Sequence, residues 1–268
     1  MPAIPPEILC KYFSPDAITK AIEGNYLKWS LPCDENDPFE AMPSGYDPED
    51  FARYCSEHGI IELGQSDLSL LDSKKDWKKF QRDASNIVAF MSFAEESDSL
   101  LMWSHYAKNH TGACVELDTS ILSTHIDRFE KVVYPVMQGA ERPKAPIGDD
   151  RDNQDKIRDL LSHKANEWAY EKEWRLIVPP LAKCVHLEKS GERYILVSDI
   201  PDNAVKRIIF GYSMPVSKRL ELAHLVVRHH PRCEFAEIQQ DKTRFTLNVE
   251  PLDLSVVLAE DSHSHPIM

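Results

Sequence analysis

Two glutamates separated by one residue give this sequence its clearest chemical signal. They are Glu171 and Glu173 in the stretch WAYEKEWR, residues 168–175, which runs into an aliphatic segment. If this stretch is a β-strand, both glutamates and Arg175 lie on one face, with the two carboxylates about 6.6 to 6.8 Å apart along the backbone. Carboxylates at that separation suit glycosidic bond cleavage, in which one stabilises an oxocarbenium-like sugar and the other handles a nucleophile.

The same residues also have a structural interpretation. Arg175 could pair with a carboxylate at a strand edge, or the preceding helix could continue so that Glu171 meets Arg175 at i, i+4. The aliphatic residues 176–178 favour the strand. We therefore expect Glu171 and Glu173 on a strand, where the like charge of one raises the pKa of the other.

Three further stretches place polar and aromatic residues beside apolar runs, at residues 10–14, 36–40 and 91–107. The candidate site residues in the first and third are Lys11, Tyr12, Ser92, Trp103, His105 and Tyr106. The plainer interpretation of the third stretch is a helix that packs Met102 and Trp103 into the core. A shared active site would bring all of these stretches to one cleft.

The stretch NDPFE, residues 36–40, has the composition of a turn. Asn36 or Asp37 can accept a hydrogen bond from its own backbone, while the following proline fixes the turn. We expect Asn36, Asp37 and Glu40 at the rim of the same cleft. The structural alternative is an ordinary turn with Phe39 buried.

The helices and strands that position these residues alternate irregularly along the chain. Expected strands include 7–13, 86–93, 113–118, 131–135 and the segment from Trp174 onward; expected helices are 14–24, 99–110, 148–169 and 217–230. A strand-rich second half then predicts an α+β fold with a mixed or mostly antiparallel sheet flanked by helices.

The expected domain organisation is simple. Residues 1–258 form a single elaborated domain, residues 43–85 form a helical insertion with polar faces, and residues 259–268 form a flexible tail. The 268 residues are long enough for a sizeable core.

Composition excludes several classes of function. The net charge of -13 opposes sequence-independent binding to phosphate backbones, so nucleic acid is an unlikely partner. No apolar run approaches the length of a membrane span, and the first residues lack the basic and apolar blocks of a signal peptide, so we expect a cytoplasmic protein. The histidines and cysteines form no metal-binding pattern, and no metal is expected.

The motifs together resemble a widespread bacterial family of uncharacterised domains. The resemblance is carried by NDPFE, by MWSHYA followed by H-x-G-x-C-V-E, and by K-x-x-x-W-x-Y-E-x-E-W-R. It extends over residues 8–211 and includes the K-Y strand at Lys11 and Tyr12.

A second resemblance is to the ADP-ribosyltransferases, which carry a serine on one strand and a Glu-x-Glu opening a later strand. It implies NAD as substrate, with Glu173 stabilising the ribosyl cation, Glu171 orienting the acceptor and Ser92 supporting Glu173. The NAD-contacting residues that it implies are Lys11, Tyr12, Trp103, His105, Tyr106 and Arg175. Lys11 and Tyr12 stand where that superfamily has an arginine or histidine.

The activity implied is cleavage of NAD at the nicotinamide bond, with transfer of ADP-ribose to an acceptor, expected to be a protein, or to water. Such an enzyme would fit a toxin or phage-defence effector. Two alternatives stay open: a non-catalytic module that binds a ligand or partner, and a metal-dependent nuclease using Asp37, Glu40, Glu116 and Asp118. Neither alternative predicts release of nicotinamide.

Overall fold

The computed structural model describes residues 3–41, 44, 88–124, 129–135, 140–143, 158–180, 182–191 and 193–253. The expected tail, 259–268, lies outside these residues, and so does the expected insertion, 43–85, except for residue 44. Within the described part no helix is both long and apolar enough to cross a membrane.

A large, mostly antiparallel sheet forms the centre of the fold. Its eight strands lie in the order β11-β10-β9-β4-β1-β3-β6-β5, with β9 and β10 as the parallel pair. A second sheet has the order β2-β8-β7. The strand bounds are β1 Ile8–Phe13, β2 Tyr26–Lys28, β3 Ala89–Ala94, β4 Ala113–Asp118, β5 Phe129–Lys131, β6 Glu173–Val178, β7 His186–Ser190, β8 Arg193–Asp199, β9 Val205–Phe210, β10 Glu234–Gln240 and β11 Leu247–Leu252.

Helices flank the sheets, which confirms the predicted α+β class. Their bounds are α1 Pro15–Glu23, α2 Leu100–His105, α3 Thr119–Leu122 and α4 Val216–His229, with 3₁₀ helices at Pro32–Asp34 and Asn166–Glu171. Ser14 caps α1 by accepting from the backbone N of Ala17, and Ser99 caps α2 through the N of Met102. Each serine hydroxyl satisfies a backbone N–H group that has no partner within the first turn of its helix.

Hydrophobic residues are buried on both faces of the large sheet. The larger core packs Leu9, Val115 and Leu117 with Ile18 of α1 and Leu222 of α4. A smaller cluster lies on the other face of the sheet and joins Cys10, Tyr12 and Cys114 to Met102 and Trp103 of α2. The alternation of strand side chains explains why consecutive residues of β1 belong to different clusters.

The predicted helix 99–110 ends earlier than expected. α2 ends at His105, because Lys108, Asn109 and His110 adopt positive φ angles of 48°, 53° and 62°. At Gly112 the chain passes close to the end of β1. Only glycine fits there, because an added Cβ would lie 1.9 Å from the carbonyl O of Phe13.

The predicted strand 131–135 and helix 148–169 are also partly wrong. β5 covers Phe129–Lys131, and residue 133 makes only an isolated bridge, to His163. In the described part of the helix, residues 158–161 are helical and the chain then leaves that conformation. The reason is the bridge itself, since the N of Val133 donates to the O of Ser162 and the N of Lys164 donates to the O of Val133.

Candidate functional site

A cavity opens where the large sheet separates. In the described chain, β1 and β3 pair at a single position, Cys10 with Ala94, whereas β1 with β4 and β3 with β6 pair along their length. A cavity of about 140 Å³ lies beside the strands at this point. It is lined by Cys10, Lys11, Tyr12, Ser30, Glu35, Ser92, Phe93, Met102, Tyr106, Lys164, Glu171 and Glu173.

This cavity brings together residues from distant parts of the sequence. Lys11, Ser92 and Glu173 come from β1, β3 and β6, which are neighbours in the sheet. Tyr106 follows α2, and Glu171 ends the second 3₁₀ helix. The sequence motifs predicted a shared cleft for Glu171, Glu173, Ser92 and Tyr106, and all four residues line this cavity.

Glu173 opens β6 and is buried, but it remains ionised. Its carboxylate accepts from Nε of Arg175 at 2.7 Å and from Nζ of Lys164 at 3.2 Å. Burial alone would raise the pKa of Glu173, but the charges of Arg175 and Lys164, with hydrogen bonds from Arg175 and Ser92, lower it to about 2. The site therefore holds a fixed negative charge at Glu173, the residue for which the resemblance to ADP-ribosyltransferases implies stabilisation of the ribosyl cation.

The pKa of Glu171 is displaced in the opposite direction. Glu171 accepts hydrogen bonds from the hydroxyl of Tyr106 and, at 2.6 Å, from Nζ of Lys164. Burial raises its pKa, and the nearby charge of Glu173 adds to this effect, while Lys164 opposes it. The two carboxylates thus share one ammonium group and differ in their affinity for a proton.

The expected strand over 171–175 is wrong at its first residues. Glu171 is the last residue of the 3₁₀ helix, and Lys172 has a left-handed backbone with φ of 43° and ψ of 52° before β6 begins. This turn sends the side chain of Lys172 away to an exposed ion pair with Glu96. Glu171 reaches the cavity from a helix end and Glu173 from a strand, so the carboxylate separation of an extended strand does not apply.

Arg175 does not contact the cavity, which corrects its expected role in binding a cofactor. It is completely buried, and its five N–H groups are directed to Glu40, Glu173 and the backbone O of Leu161. A guanidinium has five N–H donors, so none is left for a ligand. Arg175 instead donates two hydrogen bonds to the carboxylate of Glu173 and so orients it.

Sequence analysis missed Lys164 and Tyr134 as site residues. Lys164 has a side chain that is 4% exposed and bridges both carboxylates. Burial opposes its charge, but the charges of Glu173 and Glu171 raise the pKa of Lys164 above its usual value. The hydroxyl of Tyr134 accepts from the backbone N of Glu173 at 3.0 Å. The lysine was present as the first letter of K-x-x-x-W, four residues before Trp168, but a helical lysine ordinarily faces solvent.

Lys11 and Glu35 line the opposite part of the cavity. The ammonium of Lys11 donates to the backbone O of Ser92 at 2.9 Å. Burial lowers the pKa of Lys11 to about 8, against the charges of Glu35 and Glu173. Burial also raises the pKa of Glu35, which the sequence analysis had not selected.

The predicted aromatic residues divide into two groups. Tyr12 and Tyr106 line the cavity, and the hydroxyl of Tyr12 donates to the O of Glu96 at 2.7 Å. Trp103 is fully buried, donates to the O of Ser97 and meets the ring of Tyr12 edge-on, so its role is in the core. His105 is exposed and lies near Tyr170 outside the cavity. The expected ligand contacts of Trp103 and His105 are therefore wrong for this cavity.

The stretch NDPFE forms the predicted turn but faces a different cavity. Asp37 accepts from the backbone N of Phe39 at 2.9 Å, while Asn36 is exposed. Asp37 and Phe39 line a larger cavity of about 450 Å³, and Phe39 is 53% exposed rather than buried. Glu40 points inward to Arg175.

The acids of the nuclease hypothesis serve other interactions. Glu116 makes a bidentate pair with Arg207, and Asp118 caps α3 and pairs with Lys206. Among the described residues, no group of three or more histidine, cysteine, aspartate or glutamate residues could hold a metal ion.

Comparison with known families gives one match. A DUF2971 domain, described as a protein of unknown function, is found at residues 102–176. This segment includes Tyr106, Lys164, Glu171 and Glu173 but not the β1 and β3 residues of the cavity. The match agrees with an uncharacterised domain family over this segment, whereas the motif resemblance extended over 8–211. No curated protein and no solved structure matches the chain.

Proposed function

We propose that this protein cleaves NAD at the bond between nicotinamide and ribose and passes ADP-ribose to an acceptor or to water. The observation that carries the proposal is the pair Glu171 and Glu173, which line one cavity with pKa values displaced in opposite directions. When two neighbouring carboxyl groups have pKa values displaced in opposite directions, they can take different roles in one reaction, as in general acid and base catalysis.

Glu173 has the properties needed opposite a developing positive charge. Its pKa of about 2 keeps it ionised across the physiological range, and Arg175 and Ser92 hold it in place. When the C1′–N1 bond breaks, its electron pair moves to nicotinamide, which leaves as a neutral ring, and the ribosyl carbon becomes cationic. A preorganised anion at that position stabilises the transition state without reorganisation.

Glu171 has the properties needed beside the incoming nucleophile. The oxygen of water or of an acceptor would form the new bond to C1′, and Glu171 would take the proton that this oxygen loses. A raised pKa makes a carboxylate a better proton acceptor, and Tyr106 and Lys164 fix its orientation. The resemblance to ADP-ribosyltransferases implies that Glu171 orients the acceptor, and the proposal adds proton removal to that role.

A non-catalytic binding module is the second candidate. It is favoured by the complete pairing of Arg175 and by the contacts that Lys164 makes with both carboxylates, because a saturated network suits a rigid structural support. A ligand would then occupy the cavity without being cleaved.

The test is nicotinamide release from NAD by the purified full chain, measured by chromatography. We expect release by wild type and by Glu116→Gln, whose carboxylate pairs with arginine outside the cavity, and loss of release in Glu173→Gln. Tyr106→Phe removes one hydrogen-bond donor to Glu171 but no buried charge. It therefore changes the cavity without the loss of charge that could unfold the Glu173→Gln variant. NAD binding without nicotinamide release by wild type would support the binding module instead.

A further inference from the structure

Two cavities in the described part of the chain share one lining residue. Lys164 lines both the cavity of about 140 Å³ that holds the carboxylates and the cavity of about 450 Å³ that holds Asp37 and Phe39. Ligand sites for molecules of drug size span about 300 to 1,000 Å³. The smaller cavity alone is therefore too small for a dinucleotide, which must extend beyond it.

The larger cavity has the chemistry to bind a nucleotide. The guanidinium of Arg142 lies 5.2 Å from the centre of the Phe39 ring, and this ring is half exposed. Within the part of the chain that the structure describes, Nη1 of Arg142 is buried without a hydrogen-bond partner. Planar bases stack on aromatic rings and on guanidinium groups, and guanidinium N–H groups bind phosphate oxygens.

The polar residues around this pair include both basic and acidic side chains. His163 and Lys164 are adjacent in sequence and both line the larger cavity. Asp37 also lines it, and its carboxylate accepts from the backbone N of Phe39. Glu141 and Glu167 line the cavity at exposed positions, so Nη1 of Arg142 supplies the contact for an anion.

We propose that the larger cavity binds the adenosine diphosphate half of the substrate, with Phe39 and Arg142 as the base and phosphate contacts. This assignment rests on the proposed function, since it divides one dinucleotide between the two cavities. Lys164 stands between the diphosphate and the reacting ribose and is the link between them.

The probe is ADP, which lacks the nicotinamide bond, measured by calorimetry on the full chain. We expect Arg142→Ala and Phe39→Ala each to weaken ADP binding about tenfold or more. Two matched controls are Arg158→Ala, a partly exposed arginine near Glu130, and Phe245→Ala, whose ring is fully exposed; both should bind ADP as wild type does.

The outcomes separate this inference from the proposed function. ADP binding that depends on Arg142 and Phe39 supports the inference even if the protein releases no nicotinamide. If wild type does not bind ADP, or if the two cavity variants bind it unchanged, the inference is overturned. Nicotinamide release with an unchanged KM for NAD in both variants would overturn it while leaving the proposed function in place.

Discussion

Two carboxylate–arginine pairs in the same sheet differ in what surrounds them. Glu116 and Arg207 face each other on β4 and β9, join by two hydrogen bonds of 2.9 Å, and keep 11% and 31% of their side chains exposed. Glu173 and Arg175 lie two residues apart on β6 and are almost completely buried. The first pair matches one acid with one base near solvent.

The second pair belongs to a network with more acids than bases. Arg175 and Lys164 contact three carboxylates, those of Glu40, Glu171 and Glu173. Because burial disfavours an uncompensated charge, the excess is expressed as a raised pKa at Glu171. A balanced pair joins two strands, whereas an unbalanced network leaves one of its carboxyls, that of Glu171, with a raised pKa.

The largest expected effect is on stability, from removal of the two arginines. Arg175→Met leaves Glu40 and Glu173 without their buried counter-charge and should lower the free energy of unfolding by about 3 to 5 kcal/mol. Arg207→Met removes a partly exposed pair and should cost at most about 1 kcal/mol. Urea denaturation of both variants measures the difference, and equal losses would remove the distinction between the pairs.

The next effect is on the reaction. Glu173→Gln should lower the rate of nicotinamide release by about a hundredfold to a thousandfold, or about 2.7 to 4 kcal/mol, because it removes one preorganised charge. Because Glu173 is in buried contact with Arg175 and Lys164, the variant should lose stability as well. Rates must therefore be measured below the thermal midpoint of the variant. Glu116→Gln is the control, and a similar rate in both variants would contradict the proposal.

A smaller effect concerns the proton on Glu171. Lys164→Met removes the charge that opposes the raised pKa of Glu171, so this pKa should rise further. A carboxyl with a raised folded-state pKa holds its proton in the folded protein, so stability falls as pH rises above its unfolded value of 4.5. The stability lost by Lys164→Met should grow as pH rises above 4.5, by about 1.4 kcal/mol for each added pKa unit. Lys172→Met, at an exposed lysine, should show no such trend.

The smallest effect is at high pH. Burial lowers the pKa of Lys11 from 10.5 to about 8, so the folded protein binds fewer protons than the unfolded chain between these values. Stability should therefore rise with pH from about 8 to 10.5 in wild type relative to Lys11→Met. Thermal midpoints across this range measure the trend, with Lys218→Met as an exposed control. Parallel midpoint curves for wild type and Lys11→Met would place Lys11 in contact with solvent.

The sequence predicted the strands of the site better than its junctions. Ser92 and Glu173 lie in apolar runs whose strand character is evident, and their neighbouring positions in the sheet agree with a shared cleft. Trp103 was ambiguous because one helical face can serve a core or a ligand equally well, and packing decided for the core.

The role of Lys164 could not be predicted from local pattern. It depends on a backbone bridge to Val133, thirty-one residues away, which breaks the helix and turns this lysine inward. Phe39 likewise contacts Arg142, a residue distant in sequence. Long-range pairing of this kind leaves little trace in helical or strand periodicity.

The left-handed backbone of Lys172 restricts which sequences can build this site. A positive φ costs an ordinary residue about 1 to 2 kcal/mol, is readily tolerated by glycine or asparagine, and is most unfavourable for β-branched residues. The middle position of the Glu-x-Glu therefore excludes valine, isoleucine and proline on backbone grounds, although its side chain points to solvent and makes no contact with the cavity. A Glu-Val-Glu in an otherwise similar chain would describe a continuous strand and not this junction, so the identity of the middle residue separates sequences that share the site from those that share only its letters.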